Sequence, residues 1–380
     1  MLLLVNIWVF MKNKINLNYI ALFFIIPFSG YYITKLPLSP IYFFILFGSY
    51  LSVIILFLSK SIKYNKAMIL ITLFLIYLLI TQLIFTTPNI SAFVNFIFSL
   101  VVFLVVCLIL HKTSQSTIID LSEKLIYFSL PLLIYEAYYR ISNPVFFVDF
   151  AEKGRDELAF YYFKINSIMY QDSNFVAIFI LSLFFFLLYV KQYTNKKYYI
   201  SFTLLFVLIF ATLSRASIIS LLIFLFLYQF RAFFYRYKKI VFIISVSIIS
   251  FLIPILMEYR KIDDSFSTKF GIFERTFEYF TNATINYQLF GVGFGNAYEV
   301  LEIGAHNFFV TYFVESGLIG LLFILIIWTY ILIKTKYKAG IVMFPFLLNG
   351  MSFATGAIPY LYVIFAVILV LESRREKNAT

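Results

Sequence analysis

A single cysteine, Cys107, together with only two histidines in 380 residues, leaves little room for thiol or metal chemistry. One thiol makes no disulfide within the chain, and Cys107 lies inside an apolar run. No stretch has zinc-ligand spacing, a serine nucleophile elbow or a Walker loop. No metal and no cofactor are therefore expected, and an activated substrate must arrive from elsewhere. Charge is scarce too: 13% of residues are charged and 63% are apolar. Soluble domains carry about a quarter charged and about half apolar, so the composition excludes one and points to a membrane protein. Lys and Arg exceed Asp and Glu by 30 to 18. In a soluble chain that excess would hint at nucleic acid; here its distribution matters more than its sum.

What is abundant is apolar, including 50 Phe and 30 Tyr. A hydrocarbon core of about 30 Å takes roughly 20 helical residues, and continuous runs rather than period-two alternation select helices over a barrel. The runs predict an all-α, polytopic membrane protein, one integral domain over residues 1–380, with about 12 transmembrane helices. They fall near residues 16–33, 41–59, 67–86, 90–110, 121–139, 173–190, 198–213, 216–230, 239–257, 308–333, 340–355 and 358–371. Met1 to Phe10 is too short to cross. Met11, with its own basic flank, reads as a natural start, and a cleaved signal peptide is not expected.

With the N-terminus inside, basic clusters such as Lys60, Lys63 and Lys66, then Lys191, Lys196 and Lys197, then Lys334, Lys336 and Lys338 all fall in cytoplasmic turns. On that side lie 20 of the 30 basic residues and 4 of the 18 acidic ones, the asymmetry that orients such proteins, with both termini cytoplasmic. The outer side instead carries two long loops of mixed charge, 140–171 and 258–305, the larger between helices 9 and 10. Short basic turns offer no concave surface, so the working face is expected at these outer loops.

The residues singled out there each have a bland alternative. His306 is the outer side's one group that ordinarily titrates near neutrality; it either caps a helix at the headgroup level or orients a sugar hydroxyl proton. Arg215, in TLSRAS after the expected N-cap Ser214, opposes the helix dipole, so helix stability does not explain it. It is either a phosphate ligand at a helix start or an arginine snorkelling to headgroups. Arg275 lies in GIFERTFEYF, where Ile272, Phe273, Phe277 and Phe280 are expected to form the apolar face of an amphipathic helix. It is either a second phosphate clamp or an i,i+3 partner of Glu278. Arg260 and Lys261 could serve as the clamp as well. Asp172 and Asn174 read as a helix cap or as acceptor-binding groups. Glu315, in a membrane-facing segment, calls for a partner or a task. Gly291, Gly293 and Gly295 in FGVGFGN form GxGxG rather than a dinucleotide fingerprint, and a flexible turn presenting backbone amides is expected.

In order, these features resemble the O-antigen ligase and polymerase superfamily of bacterial inner membranes. Asp172-x-Asn174 opens a span, TLSRAS sits at an outer turn, a large loop carries an Arg and FGVGFG, and the loop closes on His306-Asn307. The run His306-Asn307, nine residues, Gly317, two residues, Gly320 fits the H-[NSQ]-x9-G-x-x-[GTY] pattern of the ligases. The resemblance is concentrated in residues 170–330. It implies a metal-independent glycosyltransferase at the periplasmic face, acting on sugars carried by undecaprenyl diphosphate. Arg215 and Arg275 would neutralise the departing diphosphate, and His306 would meet the acceptor hydroxyl, so these three are the implied catalytic residues. Arg260, Asp172, Asn174, Asn307 and Glu315 are the candidate substrate-binding residues.

The expected activity is that of a repeat-unit polymerase. A ligase that moves the glycan to lipid A core is the alternative, and a lipid-linked oligosaccharide flippase is a reading of a different class. Transporters place charges near the midplane on paired broken helices, whereas here the charge is in outer loops. Expected partners are the lipid-linked oligosaccharide, membrane lipid and a chain-length regulator protein, without nucleic acid.

Overall fold

The computed structural model describes residues 16–58, 64–146, 162–170, 172–237, 264–303, 307–350 and 358–379. These residues form helices in the order α1 Leu17–Ile25, α2 Pro40–Phe57, α3 Lys66–Ile84, α4 Ile90–Leu110, α5 Gln115–Ser142, α6 Ser173–Val190, α7 Tyr199–Ala211 and α8 Arg215–Gln229. There follow α9 Arg231–Arg236, α10 Asp264–Asn282, α11 Ile285–Phe290, α12 Ala297–Leu301, α13 Phe308–Lys334, α14 Gly340–Gly350 and α15 Pro359–Ala379. A single antiparallel bridge, Ile33 to Met169, is the extended pairing among the described residues.

Five of these helices, α2, α3, α4, α6 with its short extension to Tyr193, and α13, are long and apolar enough to cross a membrane, and α7, α8 and α14 are shorter apolar helices. The protein is thus an all-helical, membrane-embedded bundle. Side chains on α3 such as Ile69, Leu73, Ile76, Leu79, Ile80 and Leu83 stay exposed, as lipid rather than water as the surrounding solvent would have it. α6 is the central helix, buried over 83% of its apolar window against 28% for α2. It packs against α7, α14, α5 and α8, while α15 lies along α4.

Two expected spans differ in form. The stretch 16–33 is a nine-residue helix followed by turns. Pro27 withholds a backbone donor just past its end, and Gly30 passes so close to α6 that a Cβ there would lie 1.9 Å from the Phe179 ring. The stretch 308–333 is a helix with a break: Gly317 has φ 69° and ψ −178°. In a continuous helix, Phe308 and Trp328 would stand about 30 Å apart; their rings are 5.1 Å apart. The chain therefore doubles back at Gly317, and a half-helix, 308–316, lies folded against the long arm. The expected span 239–257 falls outside the described residues.

Helix ends sort into two groups. At the basic end, Glu123 meets Lys196, Glu372 meets Tyr189 and Tyr193, Glu376 meets Lys334, and Arg374 donates to Leu110 O. At the opposite end, the start of α4 meets the segment 264–303 through Asn89 N–H to Phe294 O at 2.7 Å, the start of α6 meets the turn before α8 through Ser173 and Thr212, and the starts of α4 and α6 share one cavity. The second end carries the long segments expected to be loops, and 264–303 is itself mostly helical, its Ile272, Ala297 and Leu301 forming a small core with Val310 and Val314 of the half-helix.

Candidate functional site

At the loop-bearing end, the site is built around Arg140. It is a wholly buried arginine near the end of α5, paired with Glu136 one turn earlier through Nε to Oε1 at 2.9 Å. Its remaining donors leave the helix: Nη1 donates to Phe163 O and Nη2 to Ala211 O at 2.7 Å. One guanidinium therefore joins α5, the segment before α6 and the end of α7. Two further bonds tighten the junction, Ser173 N–H to Lys164 O at 3.0 Å and Ser173 Oγ to Thr212 O at 2.8 Å.

This clamp places the cations. Lys164 is 6% exposed, and burial pushes its ammonium below the usual lysine range. Asp172 opposes that shift, while Arg215, Arg140 and Lys269 add to it. So Asp172, Arg215, Arg140 and Lys269 all act electrostatically on Lys164, and the Arg140 charge is itself met by Glu136. Cationic groups brought close to a buried ammonium raise the local potential, which an anion would lower. Arg215 begins α8 two residues after Leu213, whose φ of 58° puts a branched residue in the left-handed region. Such a conformation costs about 1–3 kcal/mol and persists only where the surroundings enforce it; here the Arg140 bond to Ala211 and the Ser173 bond to Thr212 do so.

Ser214 holds the N-cap position of α8, but its side chain makes no capping bond. Its oxygen instead takes the Ser217 hydroxyl at 3.1 Å, and Ser217 in turn accepts from Asn349 Nδ2 at 2.5 Å. The expected Ser214 cap is thus replaced by a serine–asparagine chain that ties α8 to α14. Asp172 does cap its helix, accepting from Asn174 N at 2.8 Å, and the Asn174 amide turns back to Asp172 Oδ2 at 3.2 Å. The capping reading accounts for this pair, and its closeness to Lys164 gives Asp172 a second contact.

Asn307 caps the folded-back half-helix: its Oδ1 receives Phe309 N at 3.0 Å and Val310 N at 3.2 Å. The half-helix starts beside α14, since a Cβ on Gly350 would lie 3.4 Å from Phe308 Cβ. Asn349, the adjacent residue, bonds the start of α8. Asn307 and Arg215 are therefore linked through two neighbouring residues of α14. His306, Arg260 and Lys261 lie outside the described residues.

Glu315 and Arg275 are held elsewhere. The Glu315 carboxyl, 8% exposed, faces the backbone N–H groups of Gly295 and Ala297. Its carbonyl receives Gly293 N at 3.1 Å and Gln82 Nε2 at 3.3 Å. The partner that the sequence could not name is thus the glycine loop. That loop is a docked backbone and not the free turn expected: Val292 N bonds Val314 O, Phe294 N bonds Gln82 Oε1, and a Cβ on Gly291 would meet the Glu315 carbonyl at 2.5 Å. Arg275 donates to Leu301 O at 2.7 Å and Glu302 at 3.2 Å, so its partner is Glu302 where Glu278 was the expected one. It pins α10 to the end of α12, and Lys269, six residues earlier on α10, is the residue of that helix that reaches the cation cluster. The apolar face of α10 differs as well. Ile272 and Thr276 are buried, whereas Phe273 and Phe277 are 48% and 71% exposed, because the buried stripe runs through 272 and 276 one position away.

Sequence reasoning missed Arg140, Lys164 and Lys269. Arg140 had a signal, an arginine four residues after a glutamate in an apolar helix; Lys164 and Lys269 had none apart from position. No protein-family model matches the chain, and no curated protein matches it.

Proposed function

We propose that this protein is an undecaprenyl-diphosphate-dependent glycosyltransferase of the bacterial inner membrane that polymerises surface-polysaccharide repeat units at the periplasmic face. The reading takes the chain as about 12 crossings, with both termini cytoplasmic and the loop-bearing end periplasmic. One observation supports it: Asp172, Arg215, Arg140 and Lys269 all act on the buried Lys164, and Arg140 holds the segment that bears Lys164 and the end of α7 that leads to Arg215.

A lipid-linked sugar leaves its carrier as diphosphate, so negative charge grows on the leaving group as the glycosidic carbon is attacked. Preorganised cations in a low-dielectric site stabilise that charge without a cation cofactor. Arg215 offers a planar fork of donors suited to phosphate oxygens. Burial, together with its cationic neighbours, lowers the proton affinity of Lys164, and an arriving anion would raise it. His306 is the proposed contact to the acceptor hydroxyl, with Asn307 fixing the half-helix that follows it. Arg275, bound to Leu301 and Glu302, is proposed to shape the loop that leads to His306. Arg260 is a further proposed ligand.

The ligase alternative is favoured by one observation. Gly317, the glycine of the H-N-x9-G pattern, is required here by a positive φ and by close contact: a Cβ would meet the Leu289 carbonyl carbon and oxygen at 2.3 Å. Both readings share the donor site and differ in the acceptor.

The test is the lipopolysaccharide ladder of a strain lacking the gene, complemented with wild type or Arg215→Ala. A polymerase leaves a single repeat on the core in the deletion strain, and Arg215→Ala fails to restore the ladder although it reaches the membrane. Bare core with glycan retained on its carrier selects the ligase. Units trapped at the inner leaflet, or a full ladder from Arg215→Ala, overturn the proposal.

A further inference from the structure

A cavity of about 440 Å³ opens among the starts of α2, α4, α6 and α15. Its size falls in the range of small-molecule sites. The cation cluster adjoins it, because Tyr170 and Phe175 in its wall flank Asp172 and the start of α6. None of the described residues lining the cavity is charged. The lining therefore suits a neutral ligand and is distinct in chemistry from the neighbouring anion site.

Three features define that ligand. The first is an aromatic wall: the Tyr32 and Tyr170 rings stack 5.0 Å apart at 19°, with Tyr42 beside them in the lining. The second is a pair of amides from α4. Asn95 Oδ1 takes the Tyr42 hydroxyl at 2.5 Å, and Asn89 Oδ1 takes Ala92 N at 3.2 Å. With both oxygens engaged, each residue's NH₂ is the group with donors to give. The third is Tyr170 itself. Its φ of 60° is a strained backbone for an aromatic residue, and its hydroxyl is buried without a hydrogen-bond partner among the described residues. A buried hydroxyl in that state costs stability until something bonds it.

A pyranose ring matches all three features. It has apolar C–H faces for an aromatic wall, ring and hydroxyl oxygens for amide donors, and no charge. We propose that this cavity binds one or two neutral pyranose rings of the glycan, as a sugar subsite beside the diphosphate cluster. The assignment of those rings to the acceptor or donor glycan rests on the glycosyltransferase reading; the binding of a neutral sugar does not.

The test uses the full chain in lipid nanodiscs and saturation-transfer NMR. The probes are methyl α-glucopyranoside, methyl β-galactopyranoside and methyl N-acetyl-β-glucosaminide, with the acyclic alditol sorbitol as control. At least one pyranoside should receive saturation at its ring C–H protons while sorbitol does not. Asn95→Asp keeps the oxygen that Tyr42 bonds but removes the amide donors, and it should weaken binding at least fivefold. Tyr32→Ala should do the same, with thermal unfolding of each variant confirming that it is folded. Transfer to none of the pyranosides, or equal binding by folded Asn95→Asp and Tyr32→Ala, overturns the proposal. Arg215→Ala should bind the pyranoside as wild type does, so sugar binding that survives alongside a normal ladder from Arg215→Ala would sink the glycosyltransferase reading alone.

Discussion

The two ends of the bundle treat charge in opposite ways. At the basic end, each described carboxylate of Glu123, Glu372 and Glu376 has at least two partners. Glu123 accepts from Lys196 and Tyr198, Glu372 from Tyr189 and Tyr193 at 3.1 and 2.7 Å, and Glu376 stands 2.8 Å from Lys334 and 3.6 Å from Lys336. The turns there are short and even a paired cation such as Lys196, at 62% exposure, stays largely in solvent. At the loop-bearing end, the cations are drawn inward. Arg140 and Lys164 are buried, and Arg215 and Lys269 are near enough to bear on Lys164, with Asp172 as the opposing carboxylate. Surface pairs of the first kind contribute about 0–1 kcal/mol. Like charges brought close in a dry place oppose folding unless something offsets them. One end meets its carboxylates with exposed lysines and tyrosines; the other buries Arg140 with Glu136 and Lys164 near Asp172, and under the proposed function that second end meets an anion.

The largest effect that would break this contrast is expected at Gly317, where the chain doubles back. Gly317→Ala puts a side chain at φ 69° and against the backbone of Leu289. The conformation alone costs about 1–3 kcal/mol, with the backbone clash added. Loss of the folded protein, measured as detergent-extractable monodisperse material, is the expected outcome; normal yield would mean that the reversal is dispensable. Next is Arg140→Ala, which leaves Glu136 buried and unpaired and frees the carbonyls of Phe163 and Ala211. Breaking such a pair costs about 3–5 kcal/mol, read as a drop in thermal midpoint, and chain growth should fall with it. The smallest effect belongs to the basic end. Lys196→Ala removes an exposed partner of Glu123 and should change stability by less than about 1 kcal/mol, with the ladder unchanged. An effect at Lys196 as large as that at Arg140 would erase the distinction between the ends.

Much of the fold was legible because caps and apolar runs are local. The expected span 90–110 coincides with α4, started by Asn89 bonding Ala92 N, and 173–190 coincides with α6, started by Asp172. The reversal inside 308–333 was not legible: Gly317 reads as one more glycine in an apolar run, and the contact that requires it comes from Leu289, far away in sequence. The same holds for the site. Arg215 and Asp172 were visible because they sit at helix starts, where an unusual residue stands out against dipole and capping rules. Lys164 comes to that place through the Arg140 bond to Phe163, one residue away, and Lys269 through the placement of α10; no spacing records either. Arg275 was visible as an arginine in an amphipathic helix, but its partners Leu301 and Glu302 depend on how the short α12 folds back. Glu315 announced a need for a partner, and the glycine run announced a turn presenting amides; that the two meet, through Gly295 and Ala297, depends on the tertiary fold.

The central claim is that the cations at the loop-bearing end bind a lipid-linked diphosphate. The direct measurement is the affinity of the full chain in nanodiscs for undecaprenyl diphosphate, with a metal chelator present, for wild type, Arg215→Ala, Lys164→Met and Lys196→Ala. Anion binding favours the protonated form of Lys164, whose proton affinity burial has lowered. Affinity should therefore be fully present below the free-state titration of Lys164 and should fall as pH rises through it, and Lys164→Met should flatten that dependence. The account predicts at least tenfold weaker binding for Arg215→Ala and Lys164→Met and no change for Lys196→Ala. Equal affinity across all four proteins would contradict it.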